Sequence, residues 1–327
     1  MGTMKAIEVS RTGGPEVLTL VERPEPQPGP GQVQIRAEAI GVNYIDTYFR
    51  SGLYPRELPF VVGTEVCGTV TAVGAGAPAD LLGRRVVTDK ALGAYADYTV
   101  APADFVAPVP DGLAADQVAS ALLKGMTVHY LIKSTYPVQA GDTVLVHAAA
   151  GGVGLILTQW ATRLGAKVIG TASTPAKAEL ARRAGAVEVL DYPTDPQAFG
   201  ARIRELTDGR GVAAVYDGVG QSTFDASLAS LAVRGTLALF GQASGPVPPV
   251  DPQRLNAAGS VYLTRPNLAH YTRTPDEFAW RAGEFLAAVT DGTLTITVGE
   301  RYPLAEAQRA HTDLQGRRTV GSIVLLP

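Results

Sequence analysis

The sequence predicts an α/β protein in which a β-rich domain comes first and a doubly wound parallel sheet follows. Three observations carry this. The first hundred residues break into short β-type runs separated by turn residues. From Thr143 onward, strand and helix patterns alternate, as in repeated β-α-β units. Between the first such strand and its helix lies a cluster of small residues, "HAAAGGVG", at His147–Gly154.

In the first part, "KAIEV", "LTLVERP", "QVQIRAEAIGV", "VCGTVTAVG", "RRVVT" and "YADYTVAP" read as strands, and "PEPQPGPGQ" as a rigid non-helical connector. Apolar residues then recur at helical spacing through "DGLAADQVASALLKGMTVHYLIKST". The alternation that follows pairs strand "TVLVHA" with helix "VGLILTQWATRLG", "KVIGTA" with "TPAKAELARRAG", and "VEVLDY" with "PQAFGARIRELTDG". It continues with "VAAVYDGV", helix "TFDASLASLAVRG", and strands "TLALFG" and "SVYLTR". Nearly all-apolar strands indicate a parallel sheet covered on both faces, with ligands at the C-terminal strand ends. The last segment, "RYPLAEAQRAHTDLQGRRTVGSIVLLP", ends in a strand with no helix after it, which suits a return to the first domain.

Bulk properties narrow the class. A chain of 327 residues exceeds the size at which single cores stop growing, so two domains are expected. The hydrophobic share of 46% and charged share of 18% are those of a globular protein. With 36 glycines and 23 prolines, many tight turns are expected. A formal charge of −3 offers no basic stripe, so no nucleic-acid partner is expected. One cysteine, Cys67, excludes an internal disulfide and fits a reducing compartment. The start "MGTMKAIEVSRTGG" lacks a basic-then-apolar signal, and no apolar run is long enough for a membrane span. A cytoplasmic protein without a membrane partner is the expectation.

The small-residue turn aligns with a dinucleotide fingerprint on its last glycine. Gly151 then lets backbone approach a diphosphate, and Gly154 lets the helix pack close to the strand. Ala149 stands at the first glycine position, which it tolerates at negative φ. The helix N-terminus beyond offers free N–H groups and positive dipole to phosphate. A turn of small residues also serves packing alone. An NAD site usually carries an acid at the end of the second strand, but "GTASTPAKAEL" has none before Glu179. Thr174 suits the N-cap and Pro175 the first helical position, which puts Lys177 at N3, where it opposes the dipole. A 2′-phosphate, assisted by Ser173, compensates that charge; the alternative is a solvated surface lysine. NADPH is the expected cofactor.

The stretches "GGPEVL", "AIGVNYIDTYFRSGLYP", "GTEVCGTV", "ALGAYADY", "LLKGMTVHYLI", "HAAAGGVGLI", "VYDGVG", "TRPNL", "YPLAEAQRAH" and "GSIVLLP" span practically the whole chain. On them, the chain resembles the zinc-independent quinone oxidoreductases of the medium-chain dehydrogenase/reductase superfamily. The resemblance implies a GroES-like catalytic domain over residues 1–125, a Rossmann NADPH-binding domain over 126–266, and a return to the catalytic domain over 267–327. It also implies a cleft between the domains and a homodimer joined through the Rossmann sheets. By position, it assigns Asn43, Tyr44, Ile45, Asp46, Thr47, Tyr48 and Tyr130 to the nicotinamide side, and Gly152 and Val153 to the phosphates. It assigns Ser173, Thr174, Lys177, Tyr192 and Arg317 to the 2′-phosphate end. Asp217, the Gly241-Gln242-Ala243-Ser244 turn and Thr264-Arg265-Pro266 match further cofactor-lining positions. His129 beside Tyr130, and Gln242-Ala243, depart from the family's pattern.

In the places where zinc alcohol dehydrogenases of that superfamily carry metal ligands, this chain has Asn43 and Thr64. Cys67 lies on an alternating strand and reads as core, and His129, His147, His270 and His311 show no ligand-like clustering. No metal is expected. Without a Lewis acid, alcohol oxidation loses its usual alkoxide stabilisation, whereas a quinone needs mainly to be docked flat against the nicotinamide. Tyr48 and Tyr54 are candidate walls of that slot, with packing as the alternative. Asn43 and Thr64 are candidate hydrogen-bond partners for a carbonyl or carboxamide. His129 is more simply a structural histidine than an acid. The expected function is NADPH-dependent quinone reduction by hydride or single-electron transfer. The alternative is reduction of activated double bonds in enones or alkenals. A structural or RNA-associated role is disfavoured by the charge balance.

Overall fold

Val33, Ile35, Ile40 and Val42 are buried residues of one long apolar run, and the first unit is built around that run. The computed structural model describes Gly2–Pro327. The chain divides into one unit up to Met126 with Thr274–Gly292 and Ile296–Pro327, and a second of Thr127–Arg273 with Thr293–Thr295.

In chain order the elements begin with β1 (Thr3–Val9), β2 (Leu18–Pro24), β3 (Gln32–Val42), α1 (Tyr44–Ser51), β4 (Phe60–Val61) and β5 (Val66–Val73). Next come β6 (Arg85–Thr88), β7 (Tyr98–Pro102), β8 (Ala107–Pro108), α2 (Ala115–Ala119) and α3 (Leu122–Tyr130). The second unit continues with β9 (Thr143–Val146), α4 (Gly152–Arg163), β10 (Lys167–Thr171), α5 (Pro175–Arg183), β11 (Ala186–Leu190) and α6 (Pro196–Glu205). Then follow β12 (Val212–Asp217), α7 (Phe224–Ser230), β13 (Leu231–Leu239), α8 (Gln253–Ala257), β14 (Tyr262–Thr264) and α9 (Leu268–Tyr271). The chain closes with α10 (Pro275–Thr290), β15 (Val298–Pro303), α11 (Ala307–Gln315) and β16 (Ser322–Leu326).

In the first unit, seven strands form one sheet in the order β15-β16-β3-β5-β6-β8, with β7 also paired to β3, and β2-β1-β4 form a second. The closing strand lies antiparallel to β3, Ile323 opposite Val42 and Leu325 opposite Ile40, which ties the tail to the N-terminal part. Cys67 is fully buried on β5.

In the second unit, six parallel strands run β11-β10-β9-β12-β13-β14. Counted from β9, the order is 3-2-1-4-5-6, the doubly wound arrangement that binds ligands where strand order reverses. Val144, Leu145 and Val146 are all buried, as a strand covered on both faces requires.

Three segments differ from their sequence patterns. "LAVRG", read as the end of a helix, is the start of β13. Leu231 leaves α7 in extended geometry (ψ 145°), and the pairing slips before Ala214 meets Thr236. A short apolar run fits both periods, and the neighbouring strand decides between them. The helical stretch after Gly112 is broken between α2 and α3 and widens into a π-helical turn at Leu131–Thr135. The tyrosine-rich segment after β3, to which no helix was assigned, contains α1, which ends at Gly52 in the left-handed region (φ 80°).

Candidate active site

In the first unit, the predicted residues gather on and beside α1. The helix starts immediately after β3, and Asp46 at N3 accepts from the Asn43 N–H at 2.9 Å. Tyr44, Tyr48 and Tyr54 form an edge-to-face row with centroid separations of 5.7 and 5.2 Å. Thr47 is buried and donates to the Tyr44 carbonyl at 2.6 Å, while Ile45 is half-buried. Thr64 is half-buried, and its carbonyl accepts from the Ala91 N–H at 2.9 Å. Arg317 follows α11 in the left-handed region (φ 56°), and its charge counters the burial that raises the Tyr44 hydroxyl's pKa.

Asn43 itself is buried between two charged residues that the sequence reading passed over. Its Nδ2 donates to Glu65 Oε2 at 2.7 Å, and its Oδ1 accepts from Lys124 Nζ at 2.8 Å. Lys124 also donates to the Ser120 and Val42 carbonyls, and Glu65 Oε1 accepts from the Leu123 N–H at 2.7 Å. The charged groups lie 3.9 Å apart. Burial raises the Glu65 carboxyl to about 7 against the pull of Lys124, and burial lowers the Lys124 ammonium. Gly41 allows this arrangement, since a Cβ there would lie 2.6 Å from Glu65 Cδ.

Asp46 ends a second buried chain. Its Oδ2 accepts from Tyr95 Oη at 3.1 Å, Tyr95 meets His311 Nε2 at 3.0 Å, and His311 Nδ1 meets Arg50 at 3.0 Å. Asp46 Oδ1 is buried with no hydrogen-bond partner. Burial lifts the Asp46 carboxyl to about 6, against the hydrogen bonds from Asn43 and Tyr95.

In the second unit, nearly all the predicted residues fall at C-terminal ends of the parallel strands. The small-residue turn follows β9, Ser173–Lys177 follow β10, and Tyr192 follows β11. Asp217 closes β12, Gly241–Ser244 follow β13, and Thr264–Pro266 close and follow β14. The positive φ of the turn falls on Ala148 (53°), one residue before Ala149. A Cβ on Gly154 would overlap the Ala148 carbonyl oxygen and lie 2.7 Å from Ala149 Cα, whereas one on Gly151 would meet only that oxygen, at 3.2 Å. Gly152 opens α4, with Val153 behind it. Thr174 Oγ1 caps α5 by accepting from the Lys177 N–H at 3.2 Å; Ser173 and Thr174 are exposed, and Lys177 and Tyr192 half-buried.

The Asp217 carboxylate is wholly engaged by the protein. It accepts from the Val219 and Gly220 N–H groups and from Ser227 Oγ at 2.7 Å, and its two oxygens share the Thr223 hydroxyl. It therefore shapes the turn after β12 rather than offering a free acceptor. Ser244 Oγ donates to the Val219 carbonyl and accepts from the Ser222 N–H, joining that turn to the one after β13. Gly241 packs on Gly218, where a Cβ would lie 2.8 Å from Cα. Arg265 is exposed and Pro266 buried, and Gln242 and Ala243 are half-buried. Tyr130 is buried and stacks on Tyr271 at 4.3 Å and 7°. His129 is fully buried and edge-on to Trp160.

Residues 29–111 match the alcohol dehydrogenase GroES-like domain and residues 152–280 the zinc-binding dehydrogenase model. A quinone oxidoreductase of Pseudomonas aeruginosa is 46% identical over 99% of both chains. The chain belongs to the quinone oxidoreductase family. A native mycobacterial structure complexed with NADPH is 68% identical with a TM-score of 0.97, covering 99% of this chain and 100% of that one. A 2-haloacrylate reductase of Burkholderia sp is 44% identical over 98% of both chains.

Within this family member, Glu65 and Lys124 were legible in principle. Each is a charged residue inside an apolar run, "GTEVCGTV" and "ASALLKGM", and such residues are almost never buried without a partner. Arg50, Tyr95 and His311 carried no comparable signal.

Proposed function

We propose that the protein uses NADPH to reduce quinones, by hydride or single-electron transfer and without a metal. The observation that carries this reading is the charged surrounding of Asn43. Lys124 Nζ already occupies the Asn43 oxygen, and Glu65 is held by Asn43 and the Leu123 N–H. A dication here would face an ammonium, and among the described residues no cluster of histidine, cysteine or acidic side chains could hold a metal, so the donor set does not fit zinc. A quinone needs no such Lewis acid.

The chain's residues suit the reduced dinucleotide. Gly154 lets α4 pack against the turn, where a Cβ would strike the Ala148 carbonyl and Ala149, and the α4 N-terminus supplies N–H donors to a diphosphate. Ser173, Thr174 and Lys177 are hydroxyl and cationic groups suited to a 2′-phosphate, and Tyr192 suits the adenine. Asp46 Oδ1, an orphaned buried acceptor, suits a hydroxyl or amide donor of the nicotinamide nucleoside. When bound, the nicotinamide supplies the hydride. Tyr48 and Tyr54 wall a planar acceptor, Asn43 and Thr64 hold its oxygen, and water provides the proton.

The kinship with a 2-haloacrylate reductase favours a second reading, reduction of an activated double bond. A steady-state survey of acceptors with NADPH and NADH decides. The expected result is NADPH preference and faster turnover of a polycyclic ortho-quinone than of an enone; the reverse order installs the second reading. A cytoplasmic homodimer completes the proposal. The short edge strand β14, with Tyr262 exposed, suits pairing with a second copy, and sedimentation as a monomer would remove that part.

A further inference from the structure

Asparagine presents two chemically opposite faces, an acceptor oxygen and a donor NH2, and turning the amide over exchanges them. At Asn43 this freedom is gone. An ammonium only donates, so the atom 2.8 Å from Lys124 Nζ is the oxygen. A carboxylate only accepts, so the atom 2.7 Å from Glu65 Oε2 is the nitrogen. Turned over, the amide would place NH2 against the ammonium and oxygen against the carboxylate, two repulsive contacts in a buried setting.

The two clamping residues are themselves fixed. Lys124 is buried, and its three hydrogens have three acceptors: Asn43 Oδ1, the Ser120 carbonyl at 2.8 Å and the Val42 carbonyl at 3.3 Å. Glu65 is fully buried, with its second oxygen on the Leu123 N–H. Asn43 Nδ2 keeps one hydrogen beyond the bond to Glu65.

We propose that Lys124 and Glu65 are positioning residues for catalysis: they lock the Asn43 carboxamide so that its remaining N–H, and never its oxygen, meets the carbonyl oxygen of the acceptor. The proposal rests on the reading above only in requiring a carbonyl-bearing acceptor, quinone or enone. As hydride arrives and the nicotinamide is oxidised, negative charge grows on that oxygen before water protonates it. A fixed N–H strengthens its bond as the charge grows, so the clamp acts on the transition state more than on binding. Lys124 behind the amide oxygen polarises the amide toward donation, Glu65 opposes this, and orientation is the net effect.

The test uses the full-length enzyme and the faster of the two acceptors in the survey, so a wrong substrate class shows there and not here. Lys124→Met leaves Glu65 without its cation and is at risk of misfolding. The double variant Glu65→Leu/Lys124→Met removes the pair together, which buried pairs often tolerate. The double variant is expected to melt near wild type and to bind NADPH within twofold by fluorescence titration, with kcat about tenfold or more lower. In an Asn43→Ala background, the same two changes are expected to cost no further kcat. A folded double variant with kcat within twofold of wild type overturns the proposal. So does a parallel loss of NADPH affinity, or a further tenfold loss in the Asn43→Ala background. If the double variant does not fold, Glu65→Met/Lys124→Leu, which also removes both clamping groups, takes its place under the same criteria.

Discussion

Arg50 donates to His311 Nδ1 across 3.0 Å, although 261 residues separate them in sequence. A guanidinium has no acceptor, so Nδ1 carries the lone pair and the ring proton sits on Nε2. That N–H donates to the Tyr95 oxygen, and the Tyr95 hydroxyl donates to Asp46, so every bond of the chain points toward the carboxylate. Burial, then the Arg50 charge, push His311 down to about 3. The folded state therefore binds fewer protons than the unfolded chain below the ordinary histidine pKa of about 6.5. Its contribution to stability is present above that value and is lost as pH falls toward 3. The slope is about 1.4 kcal/mol per pH unit. In urea unfolding at pH 6.5 and 5, wild type is expected to lose about 2 kcal/mol more than His311→Gln.

Asp46 behaves in the opposite sense. Its folded pKa of about 6 lies above the ordinary carboxylate value, so its contribution to stability is present at low pH and lost as pH rises through about 6. Oδ2 already accepts from Asn43 and Tyr95, so the proton lands on the unpartnered Oδ1. Protonation then removes the acceptor proposed for the cofactor. NADPH affinity is expected to fall about tenfold between pH 7 and pH 5, beyond the fall measured for Asp46→Asn. The variant is the baseline because the 2′-phosphate itself takes a proton near pH 6. Identical slopes for both proteins would remove Asp46 from the cofactor site.

Lys177 stands at N3 of α5, with no acidic residue in that first turn. Lys177→Ala is expected to raise the KM for NADPH about tenfold or more, the scale of a charge-assisted hydrogen bond, and to leave the KM for NADH unchanged. An equal change for both cofactors sinks the 2′-phosphate assignment.

The glycine turn predicts a graded pair. Gly154→Ala collides with the Ala148 carbonyl and Ala149 Cα, so a stability loss of about 2 kcal/mol and a collapse of NADPH binding are expected. Gly151→Ala meets one atom at 3.2 Å and should cost far less. Thermal melts with and without NADPH separate the two, and equal damage from both contradicts the geometry.

Exhaustive chelation followed by a steady-state assay checks the metal argument. Activity is expected to be unchanged, because Lys124 already occupies the Asn43 oxygen that a metal would need. A chelator-sensitive enzyme restored by zinc would show the donor set had been misread.

Local patterning made most of the scaffold legible. β2 and β3 begin and end where alternation and turn residues placed them. Thr174, Pro175 and Lys177 occupy the cap, N1 and N3 positions inferred from residue type alone. The "LAVRG" run failed because its apolar spacing served either period and the partner strand decided. α1 was missed because "NYIDTYFRSGLYP" is short and rich in aromatics, with no long apolar helical period, while the helix is held by Asp46 at its start and Gly52 at its end.

By itself, the sequence determined the order of strands and helices, the strand-end positions of the cofactor candidates, and the glycine turn. These are local: period, cap and steric freedom are set by residues a few positions apart. Tertiary structure alone decided which groups meet around Asn43 and Asp46. Glu65 and Lys124, Tyr95 and His311, come from elements far apart in sequence, and they are brought together because burying any one of them alone costs too much. A buried charge must find a partner, and no spacing rule says where that partner lies along the chain.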